Sequence, residues 1–462
     1  MRQFSVYFLE KTLHILDNKS IKKKEGLMTI YNWEKFGLHI PKMMMPAEGT
    51  DYSKWAVVAC DQYTSEPEYW EAVEQNVGNA VSTLRLMLPE VFLDKPGEEE
   101  KIKDVRDTMD KYLSDGTLRE LAPGCMLVKR TAEGRTRLGL VIATDLEAYD
   151  YNKGSKSLTR ATEGTVVERI PPRLRIRSGA PIELPHILIL IDDPEKTVIE
   201  PLVNAPKEPI YDTDLMLGGG HITGSYIKEA DLEGAKAALS VLFDKASEKY
   251  GDGNIIFQAM GDGNHSLATA KANWENIKKD LTAEEIENHP ARYALCEVEN
   301  IHDEGIVFEP IHRVLFPSNN QSGMDIVNET VELLKEQNGN AYLSDAASTK
   351  DGDFSIPYMV EGAKGFVIVE NPSSKLEVGA LQNALDVMVK ERKSCDIDYI
   401  HGTKAMEQLT SVKGNAGFML PAMDKFMLFP AVAADGALPR KTFSMGEANE
   451  KRYYIESRYI GK

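Results

Sequence analysis

Cysteine is scarce in this chain of 462 residues: Cys60, Cys125, Cys296 and Cys395 stand far apart, with no C-x-x-C spacing. That spread excludes a disulfide framework or thiolate zinc site read from spacing, and fits reduced thiols in a cytoplasmic protein. Long hydrophobic runs are missing too, and no stretch approaches the ~18 apolar residues that cross a membrane. Positive charge is in deficit: 54 Lys and Arg stand against 72 Asp and Glu, a net charge of −18. A surface of that sign disfavours non-specific nucleic-acid or anionic-membrane partners, while a local basic pocket stays open. No H-x-x-x-H spacing, repeat or low-complexity tract occurs, so no structural metal is expected. The apolar run Phe4 to Leu9 is short and no small-residue cleavage site precedes Met28, so a secretory signal is not expected. Residues 1–27 are read as an extension with a mis-assigned start, Met28 being the true one, or as a disordered segment.

What is present is an ordinary globular composition long enough for two or three packed units. Three regions are expected: 28–160, 161–320 and 321–462. Ala56 to Ala59, Leu138 to Ala143, His186 to Ile191 and Phe366 to Val369 read as strands. Glu98 to Leu118, Ile326 to Leu334 and Leu376 to Val389 read as helices. Asp231 is the expected cap of a helix that carries Leu232, Ala235, Leu239, Leu242 and Phe243 on one face and ends at Gly251. Strands and helices intermix without strict alternation, which predicts a mixed α/β (α+β) fold.

The densest chemistry lies at Gly261-Asp262-Gly263-Asn264-His265-Ser266, after the apolar run Ile255 to Ala259 and before Leu267, Ala270, Trp274 and Ile277 at helical spacing. Strand, glycine turn and helix in that order place backbone N–H groups where anions bind. The same pattern also suits a tight connection, with glycines for positive φ and Asp262 as a cap. Glu163 beside Arg160 is either an ion-paired surface carboxylate or a general base. His312 and Arg313, with Lys441, are either structural or the cationic wall of an anion pocket, and Arg173 is a further candidate cation. Gly218-Gly219-Gly220-His221 lacks the GK[ST] of a phosphate loop and reads as a hairpin turn, with His221 a candidate pocket residue. Cys60 has no identifiable base and reads as a small buried thiol.

Several pieces in order resemble a known family. Asp262-Gly263-Asn264-His265-Ser266-Leu267 is similar to the D-G-H-H-R-Y signature of the bacterial and archaeal family called domain of unknown function 1015. Arg160 to Thr165 resembles its H-E-x-T segment, and Leu188 to Asp193 its strand ending in acidic residues. Glu299 to Val307 with Pro310 to Arg313 resembles its D-x-G-L…P-T-H-R block, and Leu438 to Phe443 its P-x-K-S-T-x-F. The D-G-x-H motif in turn resembles the nucleotide-binding signature of the ParB/sulfiredoxin superfamily. That resemblance implies a ParB/sulfiredoxin-like core elaborated with additional strands and helices.

The resemblance further implies a nucleotide-dependent phosphotransferase on a small hydroxyl metabolite such as free serine. Glu163, Asp262 and His265 are its candidate catalytic residues. Gly261, Gly263, Asn264, Ser266, Arg173, His312, Arg313 and Lys441 would hold nucleotide or phosphate, with Mg²⁺ arriving on the nucleotide. One departure stands out: Ser266 occupies the place of the family's arginine, exchanging a bidentate cation for one hydroxyl. The alternative is a non-catalytic nucleotide or phosphometabolite sensor built on the same turn. Neither reading involves nucleic acid or membrane, and oligomeric state is not legible.

Overall fold

The computed structural model describes residues 29–152, 154–165, 167–318 and 320–461. The expectation for residues 1–27 lies outside them. Eleven strands form one mixed sheet: β1 (Leu38–His39), β2 (Lys42–Pro46), β3 (Leu118–Ala132), β4 (Arg135–Asp145), β5 (Tyr149–Asp150), β6 (Thr159–Arg160), β7 (Leu188–Ile191), β8 (Glu208–Leu215), β9 (Gly220–Lys228), β10 (Gln258–Asp262) and β11 (Tyr293–Asn300). The order is β8-β9-β3-β4-β11-β7-β10-β6-β5, with β1 on β4 and β2 on β3. Pairing is antiparallel from β8 to β11 and mixed beyond, where β11–β7, β10–β6 and β6–β5 are parallel.

Alternation along the central strands explains why both faces are covered. Leu140 and Ile142 of β4 pack on one side with Ile189, Ile191, Leu239, Phe243, Leu267 and Trp274. Val141 points to the other side, among Met43, Trp55, Val58, Met126, Tyr453 and Ile455. The first side is closed by α3 (Glu233–Tyr250) and α4 (Asn264–Ile277). Among the helices that precede these are α1 (Glu98–Ser114) and α2 (Ile170–Arg177).

A second, antiparallel sheet follows: β12 (Phe308–Pro317), β13 (Asn340–Ser344), β14 (Phe354–Val360), β15 (Ala363–Glu370), β16 (Cys395–His401), β17 (Ala416–Phe418) and β18 (Phe443–Met445), in the order β13-β15-β14-β17-β12-β16 with β18 on β12. Its core joins Val367, Val369 and Phe418 to Ile326, Leu334, Leu381 and Leu385 of α5 (Gly323–Asn338) and α6 (Glu377–Asp386). Ser322 and Asp325 close a capping box at the start of α5. Leu188, Leu190, Phe308, Leu438 and Met445 form an apolar seam between the two sheets.

Several expected elements shift. Asp231 ends a 3₁₀ turn, and Leu232 rather than Asp231 stands at the N-cap of α3. The charged helix stops at Ser114, and Leu118 already begins β3. α2 forms at Ile170–Arg177, where no helix was expected. The C-terminal run Lys451 to Arg458 is buried throughout despite four charged residues and a serine among its eight. Tyr453 and Tyr454 pair there with Val57 and Val58, and Arg458 and Tyr459 with Ile182 and Glu183.

Candidate functional site

β10 and α4 meet at the glycine turn. Gly261 is an extra residue in the pairing of β10 with β7, since Met260 faces Ile189 while Asp262 faces Leu188. A Cβ on Gly261 would come 2.3 Å from Met445 Sδ, so only glycine lets β18 approach here. Gly263 takes φ +80°, the left-handed conformation glycine adopts freely, and starts α4 without a side-chain cap. Asp262 is therefore not the cap. Its Oδ1 accepts the Gly263 N–H at 2.8 Å, and its Oδ2 lies 2.9 Å from the Lys451 ammonium. Burial opposes its charge, but Lys451 and the Gly263 N–H outweigh that and hold the carboxyl below its ordinary range.

Lys451 also donates to Ser444 Oγ at 2.9 Å. His401, at the end of β16, contributes an Nδ1 that is buried without a hydrogen-bond partner. Burial, then Lys451, Lys441 and His312, pull its imidazole down to about 4. His312 sits deeper, its Nδ1 accepting the Leu420 N–H at 3.2 Å. Glu163 accepts the backbone N–H of Lys441 at 2.9 Å. Lys441 has φ +58°, left-handed for a non-glycine residue. The segment is held by Leu438 N–H to Thr162 O at 2.8 Å and by Thr162 Oγ1 to Met260 O at 2.8 Å.

His265, on the first turn of α4, is half-buried. Burial and the neighbouring Arg173, Arg169 and Lys441 push its imidazole down to about 4, with Asp61 opposing. It is therefore neutral near pH 7, amid basic groups from two separate segments. Arg173 reaches the site from α2, which packs on α4, and lies 2.5 Å from Glu90. On the same turn Ser266 Oγ lies 2.6 Å from His186 Nε2, and His186 Nδ1 lies 2.6 Å from Tyr454 Oη. Tyr454 Oη donates to Cys60 Sγ at 3.2 Å, and Asp61 Oδ2 stands 3.7 Å from His186 Nε2.

Most residues singled out in the sequence thus converge: Glu163, Gly261, Asp262, Gly263, Asn264, His265, Ser266, Arg173 and Lys441 surround one turn. Three do not serve as expected. Arg313 is fully buried, donating to Gln382 Oε1 at 3.1 Å, to Arg440 O at 3.0 Å and to Ile311 O, with its guanidinium over the Tyr399 ring. Burial lowers it to about 10, and it braces the second sheet rather than lining a pocket. His312 stands behind His401. His221 lies on the exposed β8–β9 hairpin between Asp212 and Asp214, at 2.9 and 2.8 Å. Of the two readings of Glu163, the ion pair with Arg160 does not form, because Arg160 donates to the carbonyls of Ser157, Asn254 and Ile255. The Gly263 N–H is spent on Asp262, so it is not available to a phosphate.

The sequence reading missed Lys451, Tyr454, His186, His401 and Asp61. His186 had a usable signal, a polar residue directly before the buried run Ile187 to Ile191. Lys451 and Tyr454 had none, because a K-R-Y-Y-I-E-S-R run reads as a solvated tail. A separate cavity of about 810 Å³, lined by Trp33, His39, Arg292, Tyr293 and Tyr459 among others, contains none of these residues.

The family described as "Protein of unknown function (DUF1015)" matches residues 44–388. No curated protein matches the sequence. Among solved structures, a conserved hypothetical protein from Pyrococcus furiosus is 13% identical, with 70% of this chain and 93% of that one covered and a TM-score of 0.35. A free serine kinase in complex with AMP is 12% identical, with 68% and 90% covered and a TM-score of 0.37. SbnI from Staphylococcus aureus, truncated at its C-terminus, is 10% identical, with 68% and 82% covered and a TM-score of 0.33. Likeness at that level carries nothing about activity.

Proposed function

The chain belongs to the DUF1015 family of proteins of unknown function, and from that premise we propose that it is a nucleotide-dependent phosphotransferase acting on a small hydroxyl metabolite such as free serine. The observation that carries the reading is the concentration of basic groups at the uncapped start of α4. Arg169, Arg173 and Lys441 all bear on His265, in a chain whose net charge is −18. Such a patch favours a multiply charged anion, and a helix N-terminus adds oriented dipoles that stabilise charge developing on a transferred phosphoryl group. Lys441 and Lys451 would balance phosphate charge in the place first given to Arg313. Glu163 and the neutral His265 are the candidate acceptors of the substrate hydroxyl proton. Asp262 would orient Lys451. The proposed core is ParB/sulfiredoxin-like, within an organisation of regions 28–160, 161–320 and 321–462.

Among the described residues no group of three or more His, Cys, Asp or Glu is placed to hold a metal. The donors present do not fit a resident ion, so Mg²⁺ would enter on the nucleotide, with phosphate and water oxygens as its ligands. No helix among the described residues is long and apolar enough to cross a membrane.

A sensor without turnover is the second reading, favoured by Ser266 in the place of the family's arginine. The test is thermal unfolding of the protein with ATP, ADP, CTP or inorganic phosphate plus Mg²⁺, followed by phosphoryl transfer to serine. A shift with one nucleotide that Asp262→Ala and His265→Ala both lose, together with transfer, supports the phosphotransferase. A shift without transfer supports the sensor, and no shift with any of the four overturns both.

A further inference from the structure

Ser266, His186 and Tyr454 stand in the order nucleophile, base and orienting group, on three different segments. The serine is on the first turn of α4, the histidine precedes β7, and the tyrosine belongs to the buried C-terminal run. Both links measure 2.6 Å, short enough for strong hydrogen bonds. Tyr454 is buried, and burial with Cys60 and Asp61 nearby raises its hydroxyl well above the ordinary value, so it keeps its proton. That single proton is donated to Cys60 Sγ. With that proton on the Cys60 side, the phenol oxygen is placed to accept Nδ1–H of His186, which leaves the Nε2 lone pair for the Ser266 hydroxyl. This is the tautomer a serine nucleophile requires.

We propose that Ser266 is a nucleophile, activated by His186, that takes up a phosphoryl group and passes it to the hydroxyl acceptor. The inference rests on the phosphotransferase reading above and changes its course from direct to two-step transfer. In the first step Ser266 Oγ attacks the terminal phosphorus of a nucleoside polyphosphate. The Oγ–P bond forms, and the P–O bond to the leaving phosphate breaks with its electron pair on that oxygen. The serine proton passes to His186 Nε2, and Asp61, 3.7 Å away, faces the resulting imidazolium. In the second step the acceptor hydroxyl attacks the same phosphorus and gives its proton to Glu163 or the neutral His265, the Oγ–P bond breaks with its electron pair on Oγ, and Ser266 leaves with the proton returned from His186. Arg173 and Lys441 face the neighbouring His265, so the transferred group is anionic rather than acyl. Ser266 in the arginine's place is then a change of mechanism, not a loss.

Two measurements on the full chain test this. A fluorophosphonate, a phosphorus electrophile that needs no nucleotide site, is expected to form one adduct on Ser266, located by peptide mass spectrometry. His186→Gln is expected to slow labelling about 100-fold, and Ser266→Ala to abolish it. Terminally labelled ATP or ADP is expected to leave its phosphoryl group on Ser266. Tyr454 is a positioning residue, so Tyr454→Phe is expected to shift the ¹⁵N imidazole signals of His186 toward a tautomer mixture, which loss of packing alone does not do. No adduct on wild-type Ser266, with nucleotide-induced stabilisation intact, overturns the nucleophile and leaves the phosphotransferase reading standing. An adduct with no stabilisation by any nucleotide overturns that reading while the nucleophile holds. A wild-type His186 found as the Nε2–H tautomer overturns the proposed activation.

Discussion

Lys441 holds φ +58° while its N–H is tied to Glu163. A left-handed non-glycine residue costs roughly 1 kcal/mol relative to glycine, so Lys441→Gly is expected to leave stability unchanged or slightly raised. The same substitution should weaken nucleotide binding, since it removes one of the cations around His265. Thermal unfolding without ligand and a binding titration separate the two effects; a destabilised, normally binding variant contradicts this account. Residue chemistry was legible where short spacing carried it: Asp262, His265 and Ser266 fall within five positions of one another. It was illegible where a charge is spent internally. Nothing in Pro310-Ile311-His312-Arg313 tells that the guanidinium will satisfy backbone carbonyls, because that depends on Gln382 and Arg440, far along the chain.

Strands β4 and β11 carry a buried layer of arginines and carboxyl groups on the face opposite α4. Arg137 lies 2.6 Å from Glu299, and Arg452 contacts Glu297 and Glu456. Gly139 leaves the room for it, because a Cβ there would come 1.9 Å from Glu297 Oε1 and 2.6 Å from its Cγ. Gly139→Ala is therefore expected to destabilise by about 3 kcal/mol, through overpacking and a displaced ion pair. Gly164→Ala meets nothing within 4 Å and is expected to be near neutral. Ser322→Ala, which opens the capping box of α5, should cost about 1 kcal/mol. Chemical denaturation of the three variants ranks them. Long periodic elements were readable: Leu239, Leu242 and Phe243 of α3 and Leu267, Ala270 and Trp274 of α4 are buried as their spacing implied. The two-residue strands were not. Val57–Val58 pairs with Tyr453–Tyr454 across almost the whole chain, and local propensity contains no trace of such a partner.

For the molecule as a whole, three groups set opposing pH limbs. His265 and His401 take a proton near pH 6.5 when unfolded but only near pH 4 in the fold. The unfolded chain binds more protons in that interval, so stability falls as pH drops through it. Glu299 behaves oppositely: burial, with Glu297 adding and Arg137 opposing, raises it from 4.5 to about 8. Its contribution is complete below 4.5 and lost as pH rises toward 8. The melting temperature is expected to peak near pH 6.5 on these groups, and Glu299→Gln to flatten the alkaline limb. A calorimetric pH series decides, and an unchanged limb removes Glu299 as its origin. Mixed α/β architecture was readable at this scale. The parting of the sheets between Asn300 and Phe308 was not, because an apolar seam rather than a linker joins them. The buried run Lys451 to Arg458 also has a consequence in time. A ribosome makes it after every other segment that it touches: Asp262, His186, Glu297, Glu183. A nascent chain that has emerged as far as Glu450 holds an acidic turn without its lysine and a histidine without its tyrosine. Site completion is thereby coupled to synthesis of this run, and a chain stalled or clipped before it carries the family motif intact yet lacks the groups that set its charge.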